Sequence, residues 1–176
     1  AVTPDSRYVV YTLSEKGPPR IMVADLDAKG MASNPKPLHD AGSAEDDAEV
    51  SPDGKWVAYF SMESGNAEVY VHAFPTAGAR VRVSTNGGLW PRWSRDSREV
   101  FYFEGIPATR LMSVAIPADG SMRLPAPKLM FTSFVGTTWD TTASKDRFLI
   151  ELTTRSEGTL LAIVTNWFEE LKQKAQ

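Results

Sequence analysis

The 176-residue sequence contains no cysteine and only two histidines. The absence of thiols excludes disulfides and thiolate metal sites and leaves the redox compartment open. An excess of charge of one sign is also lacking, because 19 Lys and Arg stand against 22 Asp and Glu, for a formal net charge of −3. This balance gives no basic footprint for nucleic acid or for an anionic membrane surface, so we expect neither as a partner.

Long apolar runs and an N-terminal leader are missing too. No stretch approaches the roughly 18 apolar residues of a membrane-spanning helix. No signal peptide is present, and the chain opens inside a turn at Ala1-Val2-Thr3-Pro4. We therefore expect the sequence to be part of a longer polypeptide.

Motifs that carry catalysis are lacking as well. There is no Gly-x-Ser-x-Gly elbow, no His-rich metal spacing, no glycine-rich phosphate loop, no His-Arg-Asp loop and no Asp-Phe-Gly. His39 and His72 have no evident nucleophile and orienting acid, so we interpret both as surface or packed residues. We predict no catalytic residue, no metal site, no cofactor and no enzymatic activity for this chain.

What the sequence does contain is a repeated turn followed by a strand. The clearest copy starts at Ser51, and the others start at Thr3, Ser94 and, in a weaker form, Thr142, so the starts lie 48, 43 and 48 residues apart. Proline presets φ, aspartate accepts hydrogen bonds from backbone amides just downstream, and glycine tolerates a positive φ. The recurring residues are Asp5, Asp53, Gly54 and Asp96. We interpret them as structural turn residues rather than as a catalytic or calcium-binding array.

The spacing of the turns predicts an all-β fold. Each repeat offers about four short strand patterns and no helix, which is typical of β-propeller blades, whereas a β-sandwich has about seven strands at less regular intervals. We predict a β-propeller fragment of about three and a half four-stranded antiparallel blades. The predicted blades are 1–45 (incomplete), 46–88, 89–135 and 136–166 (incomplete), followed by a short C-terminal helix at 167–176.

Some stretches between the turns receive specific predictions. We interpret 27–37 as an irregular loop and 38–47 as an acidic connection, which is either a solvated loop or a ligand or cation site. The alternation from Glu68 to Phe74 predicts Val69 and Val71 on one face of a strand and Tyr70 and His72 on the other. Arg80 and Arg82 are expected on an outer strand with one wet face.

Aligning the repeats places Glu49, Arg92 and Asp140 at the same point of each predicted innermost strand, two residues before the turn. An acid, a base and an acid on successive blades predict either inter-blade ion pairs or the lining of an axial channel that binds a ligand or peptide. Just before them in the same alignment stand Trp90 and Trp139. They are the candidate aromatic anchors for a partner, with packing between blades as the alternative.

Several phrases of the sequence resemble a known family. Ser51-Pro52-Asp53-Gly54, Trp93-Ser94-Arg95-Asp96 and Glu68-Val69-Tyr70-Val71 resemble the repeats of TolB-type, WD-repeat-like propellers. A more specific series is formed by 68–75, 83–88, 91–96 and 164–172, the last reading VTNWFEELK. In this order the phrases resemble the C-terminal propeller of the bacterial eukaryotic-like serine/threonine kinases that are abundant in acidobacteria. The resemblance implies a cytoplasmic kinase domain, a membrane span and then this propeller outside; no kinase residue is carried over.

The leading hypothesis is a non-catalytic propeller module that binds a protein, a peptide or a small ligand, as the sensor part of a membrane-anchored kinase. The alternatives are the accessory propeller of a prolyl-oligopeptidase-like hydrolase and a TolB-like periplasmic scaffold. The kinase resemblance implies an extracytoplasmic location. Because an open arc of blades exposes apolar faces, we also expect a homodimer, or completion by missing blades of the same polypeptide.

Overall fold

The computed structural model describes residues 1–15, 17–40, 42–75, 78–105, 109–117, 121, 123–132, 139–141, 148–154 and 158–164, with side chains up to residue 150. These residues form fourteen strands in four antiparallel sheets and no helix. The all-β prediction is therefore confirmed. The predicted C-terminal helix at 167–176, the turn after Thr141 and the last residues of the predicted fourth blade lie outside the described residues.

Each sheet is a meander in which strands that are consecutive in the chain are neighbours. The first sheet contains β1 (Tyr8–Leu13), β2 (Arg20–Leu26) and β3 (Ala32–Pro37). The second contains β4 (Glu45–Val50), β5 (Trp56–Ser61), β6 (Glu68–Ala73) and β7 (Arg80–Arg82). The third contains β8 (Leu89–Trp93), β9 (Glu99–Glu104), β10 (Arg110–Ala115) and β11 (Lys128–Thr132). The fourth contains β12 (Trp139–Thr141), β13 (Phe148–Thr154) and β14 (Gly158–Val164).

Apolar side chains hold the sheets together face to face. One core cluster joins the first and second sheets, a second joins the second and third, and a third joins the third and fourth. The alternation predicted for β6 is confirmed, because Val69 and Val71 face the third sheet while Tyr70 faces the first. Burying one such side chain contributes about 1.5–3 kcal/mol, so these clusters stabilise the stacking of neighbouring sheets. The architecture is an arc of β-propeller blades.

Two predictions for the connections are wrong. The stretch 27–37 is not an irregular loop throughout, because β3 pairs with β2 from Ala32 to Pro37. Every residue of β3 is exposed, so the strand leaves no hydrophobic alternation in the sequence. The acidic connection is also shorter than predicted, since β4 begins at Glu45 and pairs with β5. The first sheet, moreover, keeps a trace of an inner strand, a single bridge between Val2 and Val9.

The repeated turn has the same hydrogen bonds in its three described copies. In the copy at Ser51, the Ser51 hydroxyl donates to Asp53 Oδ1 (2.6 Å), which also accepts from the amide of Lys55 (3.1 Å). The amide of Trp56 in turn donates to Ser51 Oγ (3.0 Å). Asp5 with Thr3, and Asp96 with Ser94, repeat the first of these bonds at 2.6 and 2.7 Å. The aspartates thus bond within their own turns.

The fourth residue of each of these turns has a left-handed backbone. Gly54 has φ of 73°, and its equivalents Ser6 and Ser97 have φ of 57° and 58°. Glycine adopts this conformation without the steric cost that a β-carbon brings. The turns of neighbouring blades also touch, because the amide of Asp53 donates to Ser97 Oγ at 2.9 Å. Together the turns form one end of the stacked sheets.

Candidate binding surface on the inner strands

The first strands of the second, third and fourth sheets lie side by side. The Thr141 hydroxyl of β12 donates to the Trp93 carbonyl of β8 (3.0 Å), and the Trp93 indole donates to the Glu49 carbonyl of β4 (3.1 Å). The sequence alignment had placed Glu49, Arg92 and Asp140 at one level of these strands. We name the five residues Asp47, Glu49, Trp90, Arg92 and Asp140 the inner-strand surface.

A bulge shapes two of these strands at the same place. The pairing of β4 with β5 shifts register between Asp46 and Glu49, and the pairing of β8 with β9 shifts between Leu89 and Arg92. Within the bulges, Asp47 has φ of 54° and Trp90 has φ of 53°. A bulge adds a residue to one strand and turns the side chains beside it, and both features occur often next to functional sites. The two bulge residues occupy matching positions of their repeats, because Asp47 and Trp90 each stand four residues before the turn, at Ser51 and Ser94 respectively.

Arg92 connects three strands. Its Nη1 donates to Asp47 Oδ2 (3.0 Å) and to its neighbour's carbonyl at Pro91 (2.8 Å), while its Nε donates to the Trp139 carbonyl (3.3 Å). Among the described residues its ion pair is thus with Asp47 of the preceding blade, and not with Glu49 or Asp140. An inter-blade ion pair exists, but its partner Asp47 belongs to the stretch that the sequence analysis interpreted as the acidic connection.

Glu49 is the most perturbed acid of this surface. Its Oε2 accepts a hydrogen bond from the amide of Trp93 at 2.9 Å. Burial, the largest cause, raises the pKa of Glu49 to about 7 together with the carboxylates of Asp140 and Asp47, against the opposing effects of the Trp93 amide and of Arg92. Burial likewise raises the pKa of Asp47, with Arg92 opposing. Carboxylates therefore outnumber the single guanidinium here.

The two tryptophans lie in different environments. Trp139 is only 3% exposed and packs against Phe103 and Phe148, while its indole donates to the Trp90 carbonyl (3.1 Å). It therefore serves the packing between blades, the alternative that the sequence had left open. Trp90 is partly exposed, and Asp140 is exposed. The side chains of Asp47 and Arg92 are also partly exposed, at 29% and 22%, so a partner can reach them together with Trp90 and Asp140.

A second polar cluster, which the sequence did not predict, lies between the first and second blades. Arg80 Nε donates to the Tyr59 hydroxyl (2.6 Å), and Arg80 Nη1 forms an ion pair with Glu63 (2.8 Å). His39 Nε2 lies 2.7 Å from Glu45 Oε1 and 2.8 Å from the Tyr59 hydroxyl. We name these five residues the Arg80 network. Arg80 is therefore a packed residue, and only Arg82 of β7 is exposed as predicted.

The histidines have packed positions, which fits the interpretation made from sequence. The ring of His72 is 4% exposed and meets the ring of His39 edge to face, with centroids 5.5 Å apart. Burial lowers the pKa of His72, and the neighbouring His39 and Arg80 lower it further. Among the described residues no group of three or more His, Asp or Glu could hold a metal ion. The same part of the chain contains no helix long and apolar enough to cross a membrane.

Comparison with solved structures supports the fold, whereas no family model matches the sequence. The chain is similar to TolB from Acinetobacter baumannii, with a TM-score of 0.69 and 17% identity over 93% of this chain and 39% of that protein. It is also similar to puromycin hydrolase (TM-score 0.64, 18% identity, 92% of this chain and 26% of that protein). A third match is the β-propeller domain of the Trilobed protease from Pyrococcus furiosus (TM-score 0.51, 14% identity, 90% of this chain and 51% of that domain).

The class of the molecule follows from these observations. The antiparallel meanders, stacked face to face through apolar clusters, are those of a β-propeller. Its neighbours among solved structures are TolB-like propellers and the propellers of hydrolases. At these identities the likeness shows the fold alone, and the chain spans about a quarter to a half of the proteins it matches.

Proposed function

We propose that the chain is a non-catalytic binding module that recruits a protein or peptide at the inner-strand surface. The observation that carries the proposal is the geometry at β4 and β8, where two matched bulges bring Asp47, Glu49 and Arg92 together beside a partly exposed Trp90. Tryptophan and arginine side chains are enriched among the residues that contribute most to binding between proteins. The alternative is a small ligand that binds to the same surface.

The charge of the surface defines the chemistry of the partner. Arg92 is held by Asp47 and by two carbonyls, so its charge is already compensated. Glu49 and the exposed Asp140 then remain as an excess of negative charge. Charge complementarity favours a partner that presents a Lys or Arg side chain. Because the pKa of Glu49 is about 7, binding of a basic group strengthens as pH rises through 7.

Retention of partners by the immobilised chain tests this proposal. Extracytoplasmic protein extract is passed over the wild type and over two charge reversals, Asp140→Lys on the inner-strand surface and Asp40→Lys on an exposed loop of the first blade. A fourth immobilised protein carries Trp90→Ala, also on the inner-strand surface. We expect the wild type and Asp40→Lys to retain a partner that Asp140→Lys and Trp90→Ala do not retain. A partner retained equally by all four proteins, each with the same circular dichroism spectrum, contradicts the proposal.

The parent protein that we propose is a membrane-anchored serine/threonine kinase with this propeller as its extracytoplasmic sensor. The support is the resemblance of the ordered phrases from Glu68 to Lys172. A TolB-like periplasmic scaffold has the same outward location and is favoured by the likeness to TolB. The flanking gene sequence tests the kinase proposal: a membrane span and kinase motifs upstream support it, and their absence contradicts it.

The likeness to puromycin hydrolase favours a second candidate, the accessory propeller of a prolyl-oligopeptidase-like hydrolase. In that case a catalytic domain with a Gly-x-Ser-x-Gly elbow is expected elsewhere in the same polypeptide. If the gene continues past Gln176 into such a sequence, the kinase proposal is wrong and the parent protein is a hydrolase of this type. The binding surface of the propeller would then serve substrate access rather than sensing.

A further inference from the structure

His72 is a buried titratable side chain that takes no part in the inner-strand surface. It shares a face of β6 with Tyr70, which packs against the first blade, because side chains alternate along a strand. Its ring is only 4% exposed and meets the ring of His39, on the segment that joins the first blade to the second, with centroids 5.5 Å apart. His72 therefore lies at the interface of these two blades, almost out of contact with water.

The hydrogen bonding of His72 fits a neutral ring. Its Nδ1 is buried and has no hydrogen-bond partner among the described residues. A neutral imidazole can leave one nitrogen without a hydrogen, whereas both nitrogens of a charged ring are donors. A charged ring would therefore carry a buried donor at Nδ1 with no acceptor, which is costly inside a protein.

The charges of the second blade also disfavour a proton on His72. Its titratable groups near this interface, with His39 of the joining segment, are His39, Glu45 (β4), Tyr59 (β5), Glu63 (after β5), Tyr70 (β6) and Arg80 (β7). Glu63 is held by Arg80 at 2.8 Å, and Glu45 lies 2.7 Å from His39 and 4.0 Å from Arg80. In the described part of the chain, no carboxylate forms an ion pair with His72.

The first blade presents mainly apolar side chains to the same interface, which are those of Val10, Ile21 and Val23. By the alternation of β1 and β2, the titratable groups on these faces are Tyr8 and Asp25. The Asp25 carboxylate accepts from the Asn34 amide (2.9 Å), and Asp46, at the start of β4, accepts from the Thr12 hydroxyl of β1 (2.7 Å). Both carboxylates are thus bonded to other groups.

The position of His72 gives a definite direction to the effect of pH. Burial lowers the pKa of His72 below its ordinary value of 6.5, and His39 and Arg80 lower it further, while the Gly78 backbone and Glu45 oppose them. If the first blade moves away, His72 meets water and regains its ordinary affinity for a proton. The closed interface therefore has its full stability above pH 6.5 and loses stability as pH falls through the lowered pKa.

We propose that His72 makes the contact between the first and second blades acid-sensitive, so that a proton on His72 separates the first blade from the second. Separation gives the new N–H of the ring a water acceptor and moves its charge away from His39. The device is a property of the blade interface. It goes beyond the binding function proposed above and requires no ligand.

Labelling of single introduced thiols tests the proposal, because the chain contains no cysteine of its own. Val10→Cys places a thiol between the first and second blades, and Val114→Cys places one between the second and third; both valines are at most 1% exposed. Each protein is labelled with 4,4′-dithiodipyridine at about pH 7.5 and about pH 5.5. The ratio of the two labelling rates removes the intrinsic effect of pH on thiol reactivity.

We expect the ratio of the Val10→Cys rate to the Val114→Cys rate to rise about fivefold or more on acidification. The rise should disappear, to within about twofold, when His72→Gln is added, because glutamine cannot take up the proton. It should persist with His39→Gln, the matched change of the other histidine. Glu49, whose pKa is about 7, also takes up a proton in this range, but it does so in every variant.

Three results of the labelling overturn the proposal: no rise of the ratio, an equal acceleration of both thiols, or a rise that survives His72→Gln. Ring-proton NMR of the wild type provides a second measurement that does not depend on the introduced thiols. Its two histidine signals are assigned with His39→Gln, and the His72 signal should titrate with a midpoint below 6.5. A midpoint at or above this value also overturns the proposal.

Discussion

At the scale of single residues, Asp53 closes the turn between β4 and β5. It accepts hydrogen bonds from the Ser51 hydroxyl and from the amide of Lys55. Asp53→Ala removes Oδ1, the acceptor of both hydrogen bonds, so we expect the free energy of unfolding to fall by about 1 kcal/mol. Urea denaturation measures the change, and Asp40→Ala is the control because Asp40 is exposed. Equal effects of the two substitutions would contradict the role given to Asp53.

Glu49 predicts a specific dependence of stability on pH. Its folded pKa, about 7, lies above the ordinary value of 4.5, so the fold favours the protonated form. The resulting stabilisation is complete below pH 4.5 and is lost as pH rises through 7. Glu49→Gln keeps the neutral form at every pH, and its amide oxygen can still accept from Trp93.

Relative to the wild type, Glu49→Gln should therefore be nearly neutral at about pH 4.5 and stabilising by about 1–3 kcal/mol at about pH 8.5. Urea denaturation at the two pH values gives the difference. Glu15→Gln, the same change on an exposed loop, should show no such dependence. A Glu49→Gln effect that is independent of pH would contradict the buried, acid-surrounded position of Glu49.

The repeat alignment predicted only part of the contacts on the inner-strand surface. The alignment of the repeats brought Glu49 and Arg92 to adjacent inner strands, because blades repeat with a fixed register. It did not pair Arg92 with Asp47, because a bulge with positive φ at Asp47 changes the direction of the side chain. It also left the role of Trp139 open, because the aromatic cluster of Phe101, Phe103 and Phe148 comes from two sheets.

At the scale of elements, the strands that the sequence predicts well are those with two buried faces. β5 follows the repeated turn at Ser51 as predicted, since its β-branched and aromatic residues contact both neighbouring blades. β3 and the start of β4 were missed because their residues are polar. The acids of β4 are instead held by distant partners, Glu45 by His39 and Asp46 by Thr12. Such pairs cannot be read from local patterns.

We predict that the Arg80 network contributes to the free energy of unfolding. Arg80 contacts Tyr59, Glu63 and the face of Tyr70, and its Nη2 lies 4.0 Å from the buried Glu45. Arg80→Ala removes these contacts and leaves Glu45 without a nearby guanidinium, so we expect a loss of about 2–4 kcal/mol in the free energy of unfolding.

Arg82→Ala on the same strand is the matched control and should change stability by less than about 0.5 kcal/mol, because Arg82 is exposed. The double variant Arg80→Ala with Glu45→Gln should recover part of the loss, since the buried charge is then removed. Additive effects in this double-mutant cycle would show that Arg80 and Glu45 are not coupled.

At the scale of the whole molecule, the period of the turns was enough to predict the propeller class, and the structure confirms it. The spacing determines where each sheet starts, and the consecutive order of strands follows from short connections. The sequence does not determine what covers the open face of the first blade. That face has a cavity of about 770 Å³ lined by Val2, Val9 and Leu26, and Val2 is 56% exposed.

We predict that this chain self-associates through the open face of the first blade. Light scattering at micromolar concentration should give a mass of about twice 19.4 kDa for the wild type. Leu26→Asp should return the mass to that of one chain, whereas Met62→Asp, at an exposed position of the second blade, should not. A stable wild-type monomer would contradict the prediction.

Binding of a basic group by the inner-strand surface can be measured in a single peptide titration. A labelled peptide of alternating Lys and Ala is titrated at about pH 8 with the wild type, Asp140→Lys and Asp40→Lys. We expect saturable binding by the wild type and by Asp40→Lys, and a Kd at least about tenfold higher for Asp140→Lys. Equal affinities of the two variants, or no saturable binding by the wild type, would contradict it.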